Sequence, residues 1–437
     1  MRARFLLGLC AVAFAGLVAA GIFAAQWLEE RNPEPSAPDI AVSPELVARG
    51  EYLTRAADCE ACHTVPGGEP FAGGRPFRLP FGTLYSTNVT ADRDTGIGTW
   101  RDRDFVRALH RGIAKNGDHL YPAFPYSSYT AMTQEDALAI KAYLFSLPTV
   151  HAPARRNHLE FPFNQRWGLA FWNLAFLDQR RFSPDHQLNV AQNRGRYLAT
   201  ALGHCGECHT PRTIAYSMNM HRAFAGAEVD GWHAYNITSA EQFGLGDWTD
   251  RQIFAYLNSG HATGHGTAGG PMGEVVSLSL RYLTPEDVTA LVSYLRTIKP
   301  QQGLTADVEN GPQRGAPNMV AGTGRRAVET DLVGRTLFSG ACSGCHNLEG
   351  GGRQSSFADL TGSRTVADPA AHNILRVLLD GADQRSLHPA LYMPSFASAY
   401  SDEELAALTN FVVKQFSGRD GRVRSDDVHS SRAETAP

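Results

Sequence analysis

The sequence carries almost no excess charge and no run of basic residues. Its 437 residues include 40 Lys and Arg against 44 Asp and Glu, which gives a net charge of −4. Proteins that bind nucleic acid concentrate positive charge, so we expect no nucleic-acid partner. The chain also lacks the low hydrophobicity of disordered proteins, because hydrophobic residues make up 43% of it. This composition can bury real cores, and the length predicts about two to four domains.

Cysteine is scarce, and six of the seven cysteines repeat one Cys-x-x-Cys-His pattern. The three copies are Cys59, Cys62 and His63; Cys205, Cys208 and His209; and Cys342, Cys345 and His346. Chance predicts roughly 0.004 such matches in a chain of this composition. The pattern therefore indicates a shared chemistry at all three places.

Cys-x-x-Cys-His is typical of c-type haem attachment. Two thiols one helical turn apart can bond to the two vinyl groups of a porphyrin edge, and the histidine supplies an Nε2 ligand to iron. Zinc fits less well, because each motif offers three crowded ligands with no second pair nearby. A thioredoxin-like dithiol needs no trailing histidine, and a βαβ setting is absent. We predict three covalently bound haem c groups and no disulfide.

The motifs recur at a period near 140 residues, with separations of 146 and 137 residues. Each is preceded by a short helical segment that carries a glycine, at Gly50, Gly195 and Gly334. Each is followed by a helix with an N-cap signal, at Thr133, Thr284 and Ser401. An aromatic residue lies ten positions after each cap, at Tyr143, Tyr294 and Phe411. We predict that each glycine lets the first and last helices of a unit cross closely.

This repeat predicts a mainly α fold of three small tandem domains, each closed around one motif. We name them repeat 1 (43–150), repeat 2 (190–300) and repeat 3 (328–417). The stretch Pro300–Asp331 is polar and rich in Gly, Pro and Asn, which predicts a linker. Residues 418–437 are polar and are expected to form a disordered tail.

The N-terminus predicts export. Arg2 and Arg4 precede an uncharged run from Phe5 to Leu28. Residues 1–30 therefore suit a cleaved signal peptide or, at this length, a membrane anchor. Either alternative places the bulk of the chain outside the cytoplasm. Cys10 lies inside this run, and we interpret it as a small buried thiol.

Two further segments have alternative interpretations. Repeats 1 and 2 share a block that begins with Asn88-Val-Thr90 and Asn236-Ile-Thr238, and repeat 3 lacks it. Each Asn-x-Thr could be a glycosylation site, but we interpret the asparagine as turn-forming. Between repeats 1 and 2, Phe161–Leu177 is rich in aromatic residues. It suits either helix packing between domains or a docking surface for a partner or membrane.

Methionine is also scarce, and it is the sixth ligand that raises the potential of an electron-carrying haem. Met272 and Met393 lie in loops before the caps of repeats 2 and 3 and are the predicted ligands there. The equivalent loop of repeat 1 carries Phe124, which cannot bind iron. Met132 is the only methionine of repeat 1, and we take it as the candidate ligand. The alternatives are His110, His119 or an open position.

On these motifs the chain resembles the three-haem cytochrome c subunit of membrane-bound periplasmic dehydrogenases for alcohols, aldehydes, gluconate and sorbitol. The resemblance covers Ser43 to Phe416. Its most specific marks include Asp58–Thr64, Phe71–Gly74, Asn88–Thr90, Pro271–Val276 and Met393–Phe396. The family often has methionine where this chain has Phe124.

The resemblance implies three class I cytochrome c domains with no substrate site of their own. It implies that they accept electrons from a catalytic subunit, a quinoprotein, flavoprotein or molybdoprotein, and pass them to ubiquinone or cytochrome oxidase. The implied location is the periplasmic side of the inner membrane, anchored or peripheral. Two alternatives stay open. One is a multihaem oxidoreductase with a catalytic, open first haem, and the other is a cytochrome subunit of a terminal oxidase or a free periplasmic shuttle.

Overall fold

The computed structural model describes residues 42–241, 244–302, 332–353, 355–368, 370–384 and 391–435, with a few isolated positions before residue 25. Cys10, nearly all of the N-terminal signal or anchor segment and most of the linker lie outside the described residues. Among the residues that are described, no helix combines the length and the apolar character needed to cross a bilayer. About half of the described chain is helical, in agreement with the predicted mainly α fold, and it forms two compact units.

The first compact unit comprises residues up to Thr54 together with Cys62–Ser183. Repeat 1 and the segment after it contain helices α1 Pro44–Ala56, α2 Cys59–His63, α3 Asp102–Arg111, α4 Tyr126–Tyr129, α5 Gln134–Ser146 and α6 Gly168–Phe176. Three short strands form an antiparallel sheet in chain order, namely β1 Pro76–Leu79, β2 Gly82–Tyr85 and β3 His158–Leu159. Phe77 lies opposite Leu84, and Thr83 opposite His158.

The second compact unit comprises Arg55–Ala61 and Pro184–Pro437. In repeat 2 the helices are α7 Val190–Tyr197, α8 Cys205–His209, α9 Asp250–Ser259, α10 Gly270–Leu278 and α11 Pro285–Leu295. From repeat 3 onward they are α12 Ser343–His346, α13 Arg364–Ala367, α14 His372–Asp380, α15 Asp402–Ser417 and α16 Ser425–Thr435. Single π-helical turns, Leu198–Leu202 and Phe338–Cys342, lead into the second and third motifs.

Short antiparallel hairpins and 3₁₀ turns complete the second compact unit. The hairpins pair β4 Ala227–Val229 with β5 Trp232–Ala234, β6 His261–Ala262 with β7 Gly266–Thr267, and β8 Ala382–Gln384 with β9 Leu391–Met393. The 3₁₀ turns are Met220–Arg222, Leu280–Tyr282 and Ser356–Ala358.

Repeats 2 and 3 pack together within this unit, which is why three sequence repeats give two compact bodies. The side chain of Asn373 on α14 bonds both backbone groups of His233, with its Oδ1 2.8 Å from the His233 nitrogen and its Nδ2 2.9 Å from the His233 oxygen. Nε2 of His372 lies 2.8 Å from the carbonyl oxygen of Gly231. The boundaries of three separate domains stay a prediction.

The predicted close crossing of the first and last helices is confirmed in all three repeats. A Cβ atom on Gly50 would overlap the carbonyl oxygen of Ala139 and lie 2.9 Å from Cβ of Tyr143. The corresponding neighbours are Ala290 and Tyr294 at Gly195, and Ala407 and Phe411 at Gly334. Only a glycine allows these backbones to approach so closely, and the predicted aromatic residue packs beside each one.

The predicted caps are also confirmed. The hydroxyls of Thr133, Thr284 and Ser401 each accept from the backbone N–H three residues later, at 3.2 Å. Each bond satisfies one of the N–H groups that an α-helix leaves unpaired at its start.

The carboxylate at the third helical position has a different partner in repeat 3. In repeats 1 and 2 it binds the arginine that precedes the crossing glycine: Asp136 binds Arg49, and Asp287 binds Arg194 at 2.6 and 2.8 Å. Val333 stands at this place in repeat 3. Glu404 therefore turns back to its own cap and accepts from the Ser401 N–H at 2.8 Å, which completes a capping box.

The structure differs from the expected disordered tail. Beyond Ser417, helix α16 packs against α14 and α15 and buries Val428 completely. The Asn410 side chain fixes the segment that leads into this helix. It donates to the carbonyl oxygen of Val423 at 2.8 Å and accepts from the Val423 N–H at 3.0 Å. Arg432 donates to the Tyr400 carbonyl at 2.7 Å. Because hydrogen bonds from side chains to backbone groups order this polar segment, it needs few apolar residues to stay folded.

The aromatic segment after repeat 1 uses one face for packing and leaves another exposed. Asn173 on α6 is buried, and it accepts from the Tyr126 hydroxyl at 2.7 Å. Trp172 packs edge-on against the Tyr126 ring. The exposed large side chains, which we call the apolar stripe, are Phe161, Phe163, Trp167, Leu174 and Phe176.

We expect Gly195→Ala to destabilise the second compact unit by roughly 1–3 kcal/mol or more, because the new methyl group must push α7 away from α11. Gly340→Ala is the matched control, since a Cβ there meets nothing within 4 Å. Urea unfolding followed by circular dichroism measures both changes. Equal unfolding midpoints for the two variants would contradict the crossing argument.

Candidate haem sites

Each motif histidine bonds a backbone carbonyl through its Nδ1 atom. The distances from Nδ1 are 2.7 Å to Thr87 O for His63, 2.6 Å to Tyr235 O for His209 and 2.7 Å to Ala358 O for His346. A carbonyl oxygen can only accept, so Nδ1 must carry the proton in every case. Nε2 of the neutral ring then has its lone pair available for a metal.

Burial reinforces this state. It lowers the pKa of His63, His209 and His346, because desolvation disfavours the charged ring more than the carbonyl bond favours it. Three neutral imidazoles, each with a fixed tautomer, are what iron ligation by histidine requires.

The loop that carries each carbonyl is the same in all three repeats. The carbonyl oxygen of each motif histidine accepts from a glycine N–H, from Gly73 at 2.7 Å, Gly226 at 2.8 Å and Gly352 at 3.1 Å. All three glycines have positive φ, between 70° and 96°. A second bond closes each loop, from Val89 to Phe71, Ile237 to Phe224 and Leu360 to Gly350. The histidine is thus fixed at its main chain and at its ring.

The Asn-x-Thr turns hold these carbonyls in place. Asn88 and Asn236 directly follow the accepting residues, and each Oδ1 accepts from the N–H and hydroxyl of the threonine two residues on, at 2.7–2.9 Å. Each amide Nδ2 also donates to a carbonyl oxygen, of Val150 or Gln301 respectively. Both asparagines are 2% exposed. The turn-forming interpretation is confirmed, and these asparagines are not accessible for glycosylation.

Repeat 3 has the same turn, contrary to the expectation that it lacks the block. Asp359 follows the accepting residue Ala358, and its Oδ1 accepts from the N–H of Thr361 at 2.8 Å and from its hydroxyl at 2.6 Å. The block continues with Gly96-Ile-Gly98 and Trp100 in repeat 1, and with their counterparts in repeat 2, and this second part is missing from repeat 3. The signal was the Asp-x-Thr spacing, because aspartate provides the same acceptor oxygen as asparagine.

The motif cysteines lie beside the histidines. Cys59, Cys62, Cys205 and Cys208 lie on α2 and α8, while Cys342 directly precedes α12 and Cys345 lies on it. All six are thiols rather than disulfides. Burial raises the pKa of Cys205 to about 12 and that of Cys342 to about 11. Such apolar surroundings suit neutral thioethers better than thiolate ligands of zinc.

One unpredicted side chain supports the fit to haem. Nε of Arg364 is enclosed, and in the described part of the chain it has no hydrogen-bond partner. The guanidinium lies 4.7 Å from the centre of the Tyr235 ring and donates to Asn236 O at 3.4 Å. Haem carries two carboxylates, and an enclosed guanidinium N–H beside the His209 loop suits such an anion. No sequence pattern marked this arginine, because it comes from repeat 3.

The predicted sixth ligands differ in burial. Met272 at the start of α10 and Met393 at the end of β9 are half-buried. Met132 is 0% exposed, as is His110. His119 is half-buried, and its carbonyl oxygen accepts from Arg166 at 2.8 Å. Within the described residues, no group of three or more His, Cys, Asp or Glu side chains is arranged to hold a bare metal ion.

We expect Asp359→Ala to destabilise repeat 3 by roughly 1–3 kcal/mol, because it leaves the backbone N–H and the hydroxyl of Thr361 without their acceptor. Asp359→Asn keeps the acceptor oxygen and should stay near the wild-type stability. Urea unfolding midpoints measure both variants. If Asp359→Asn were as damaging as Asp359→Ala, charge rather than the turn would be the important property of this residue.

Comparison with known proteins agrees with this geometry. Residues 333–415 match the family model for cytochrome c. The chain is 36% identical to the fructose dehydrogenase cytochrome subunit of Gluconobacter japonicus, over 92% of this chain and 85% of that protein. It is 35% identical to the gluconate 2-dehydrogenase cytochrome c subunit of Pantoea cypripedii, over 90% and 91%. It is 33% identical to the alcohol dehydrogenase (quinone) cytochrome c subunit of Gluconacetobacter polyoxogenes, over 90% and 85%. The chain belongs to the family of cytochrome c subunits of dehydrogenases.

Proposed function

We propose that this chain is the three-haem electron-transfer subunit of a membrane-bound periplasmic dehydrogenase. The observation that carries the proposal is the threefold Cys-x-x-Cys-His motif, in which every histidine has its Nδ1 proton bound to a carbonyl. Relatives of nearly the same length are cytochrome subunits of fructose, gluconate and alcohol dehydrogenases.

The proposal gives each set of motif residues one role in holding haem. The six motif cysteines would hold three haem c groups, and His63, His209 and His346 would be the protein ligands of their iron. A bound haem c supplies a one-electron couple between ferric and ferrous iron. The carbonyl bonds hold each imidazole in one orientation and one tautomer, which would keep the ligand fixed in both oxidation states of the iron. Met272 and Met393 would be the second protein ligands in repeats 2 and 3.

The partner is a catalytic dehydrogenase subunit, and the acceptor is ubiquinone or another respiratory carrier. The name of the alcohol dehydrogenase (quinone) relative supports a quinone acceptor. The apolar stripe supports attachment to a membrane or partner, because exposed apolar patches on secreted domains mark such surfaces. In residues 1–30, two arginines precede a long uncharged run, and this order supports export to the periplasmic side.

Covalent attachment is tested by mass spectrometry and haem staining of the denatured chain. We expect a mass gain of about three haem groups, and a loss of one haem in the double variant Cys205→Ala and Cys208→Ala. Cys10→Ala is the control and should leave the haem content unchanged. No staining, or an unchanged haem content in the double variant, would refute the attachment.

The partnership is tested by purification of the tagged chain from detergent-extracted membranes. We expect a dehydrogenase subunit to co-purify. We also expect one substrate class among sugars, sugar acids and alcohols to reduce the haems of the purified complex. Co-purification with an oxidase alone, or with no partner, would favour the alternatives of a terminal oxidase subunit or a free shuttle.

A further inference from the structure

We propose that the haem at the first motif has His63 as its only protein ligand, so that its sixth position is open to a small uncharged ligand such as carbon monoxide or nitric oxide. This inference rests on the proposed attachment of haem to Cys59 and Cys62. It goes beyond electron transfer, because it assigns a ligand-binding site to repeat 1.

The first step is the equivalence of Phe124 with the ligand methionines. In repeat 1, Gly112 is the C-cap of helix α3, and Ile113 pairs with His119 six residues later. In repeat 2, Gly260 is the C-cap of α9, and His261 pairs with Thr267 six residues later. The same closing bond follows, from the residue after the pair to the glycine carbonyl, at 2.7 Å in both. Counting five residues onward from His119 leads to Phe124 in repeat 1, and the same count from Thr267 leads to Met272 in repeat 2.

Repeat 3 gives the same equivalence by a different route. Met393 is followed by Pro394 and lies eight residues before the cap Ser401. Phe124 is followed by Pro125 and lies nine residues before the cap Thr133. Both comparisons therefore identify a side chain without a metal-binding atom at the ligand position of repeat 1.

The second step concerns Met132, which has a structural position instead. It immediately precedes the cap Thr133, the place held by Leu283 in repeat 2 and Tyr400 in repeat 3. Apolar residues at this place typically pack against the first turns of the helix that follows. A ligand must present its donor atom at the wall of a haem pocket, yet Met132 is surrounded by protein and 0% exposed. The same burial applies to His110.

The third step concerns the tautomer of His119. Its Nδ1 atom is enclosed, and within the described residues it has no hydrogen-bond partner. Ligation through Nε2 would require the proton on Nδ1, which would bury a donor with no acceptor. In contrast, Nδ1 of each of the three motif histidines donates to a backbone carbonyl. The remaining histidines of the first compact unit have other neighbours, with His151 beside Asp92 and His158 against the Tyr85 ring.

The surroundings of Phe124 define the class of ligand. Its ring is half-buried, with ring centres 5.6 Å from Tyr129 and 6.4 Å from Tyr126. The Tyr126 hydroxyl already donates to Asn173 at 2.7 Å. An aromatic setting of this kind stabilises no negative charge, so it favours neutral diatomic ligands of ferrous iron over anions.

The test is titration of the reduced, three-haem full chain with carbon monoxide, followed by absorption spectroscopy. We expect one of the three reduced haems to have a five-coordinate, high-spin spectrum, and about one carbon monoxide per chain to convert it to a six-coordinate, low-spin adduct. Phe124→Met should abolish this binding, strengthen the methionine-to-iron charge-transfer band that the haems of repeats 2 and 3 already give in the oxidised spectrum, and raise the potential of one haem only. Met272→Leu is the positive control and should increase binding to about two per chain.

Further variants test whether another side chain is the sixth ligand of the first haem. Met132→Leu and His119→Gln should leave the carbon monoxide titration of the wild type unchanged. A wild-type chain with three attached haems and no carbon monoxide binding would overturn the proposal. If binding then appeared in Met132→Leu or His119→Gln, it would identify the ligand. Absence of haem from Cys59 and Cys62, measured by mass, would instead refute the proposed attachment.

Discussion

The hydrogen bond from each motif imidazole to a backbone carbonyl is the constraint on which the rest of the structure depends. A histidine that binds iron through Nε2 must keep its proton on Nδ1, and a carbonyl is an acceptor that cannot reverse its role. Thr87, Tyr235 and Ala358 supply this oxygen. The positive-φ glycines and the Asx-x-Thr turns of each loop serve to bring that one oxygen to the ring.

The helices around each loop form a frame that the repeats share. In each repeat the first and last helices cross closely at a glycine, and an N-cap residue fixes where the last helix begins. Differences between repeats are local and have physical reasons. Where an arginine precedes the crossing glycine, it binds the carboxylate at the third position of the last helix. Where Val333 stands at this place, Glu404 accepts from the backbone N–H of its own cap instead. The loops that carry the proposed sixth ligands also differ between repeats, and they would set the potential and reactivity of each proposed haem.

Much of this could be predicted from the sequence, because the chemistry requires fixed spacing. Cys-x-x-Cys-His, the glycine of the crossing and the cap residues are each local patterns with one physical explanation. The turn of repeat 3 was missed because aspartate replaced asparagine while the acceptor oxygen stayed the same. The ordered tail was missed because its order comes from Asn410 and Arg432, residues whose distant backbone partners leave no periodic pattern. Arg364 was unpredictable for a related reason, since it reaches the loop of a different repeat.

The central claim is tested most directly by NMR of the intact chain with ¹⁵N-labelled histidine, reduced and saturated with carbon monoxide. This account predicts three Nδ1–H protons that exchange slowly with water, assigned to His63, His209 and His346 by His→Gln substitution. Fewer than three protected Nδ1–H protons, or a motif imidazole that titrates near its ordinary pKa, would contradict it.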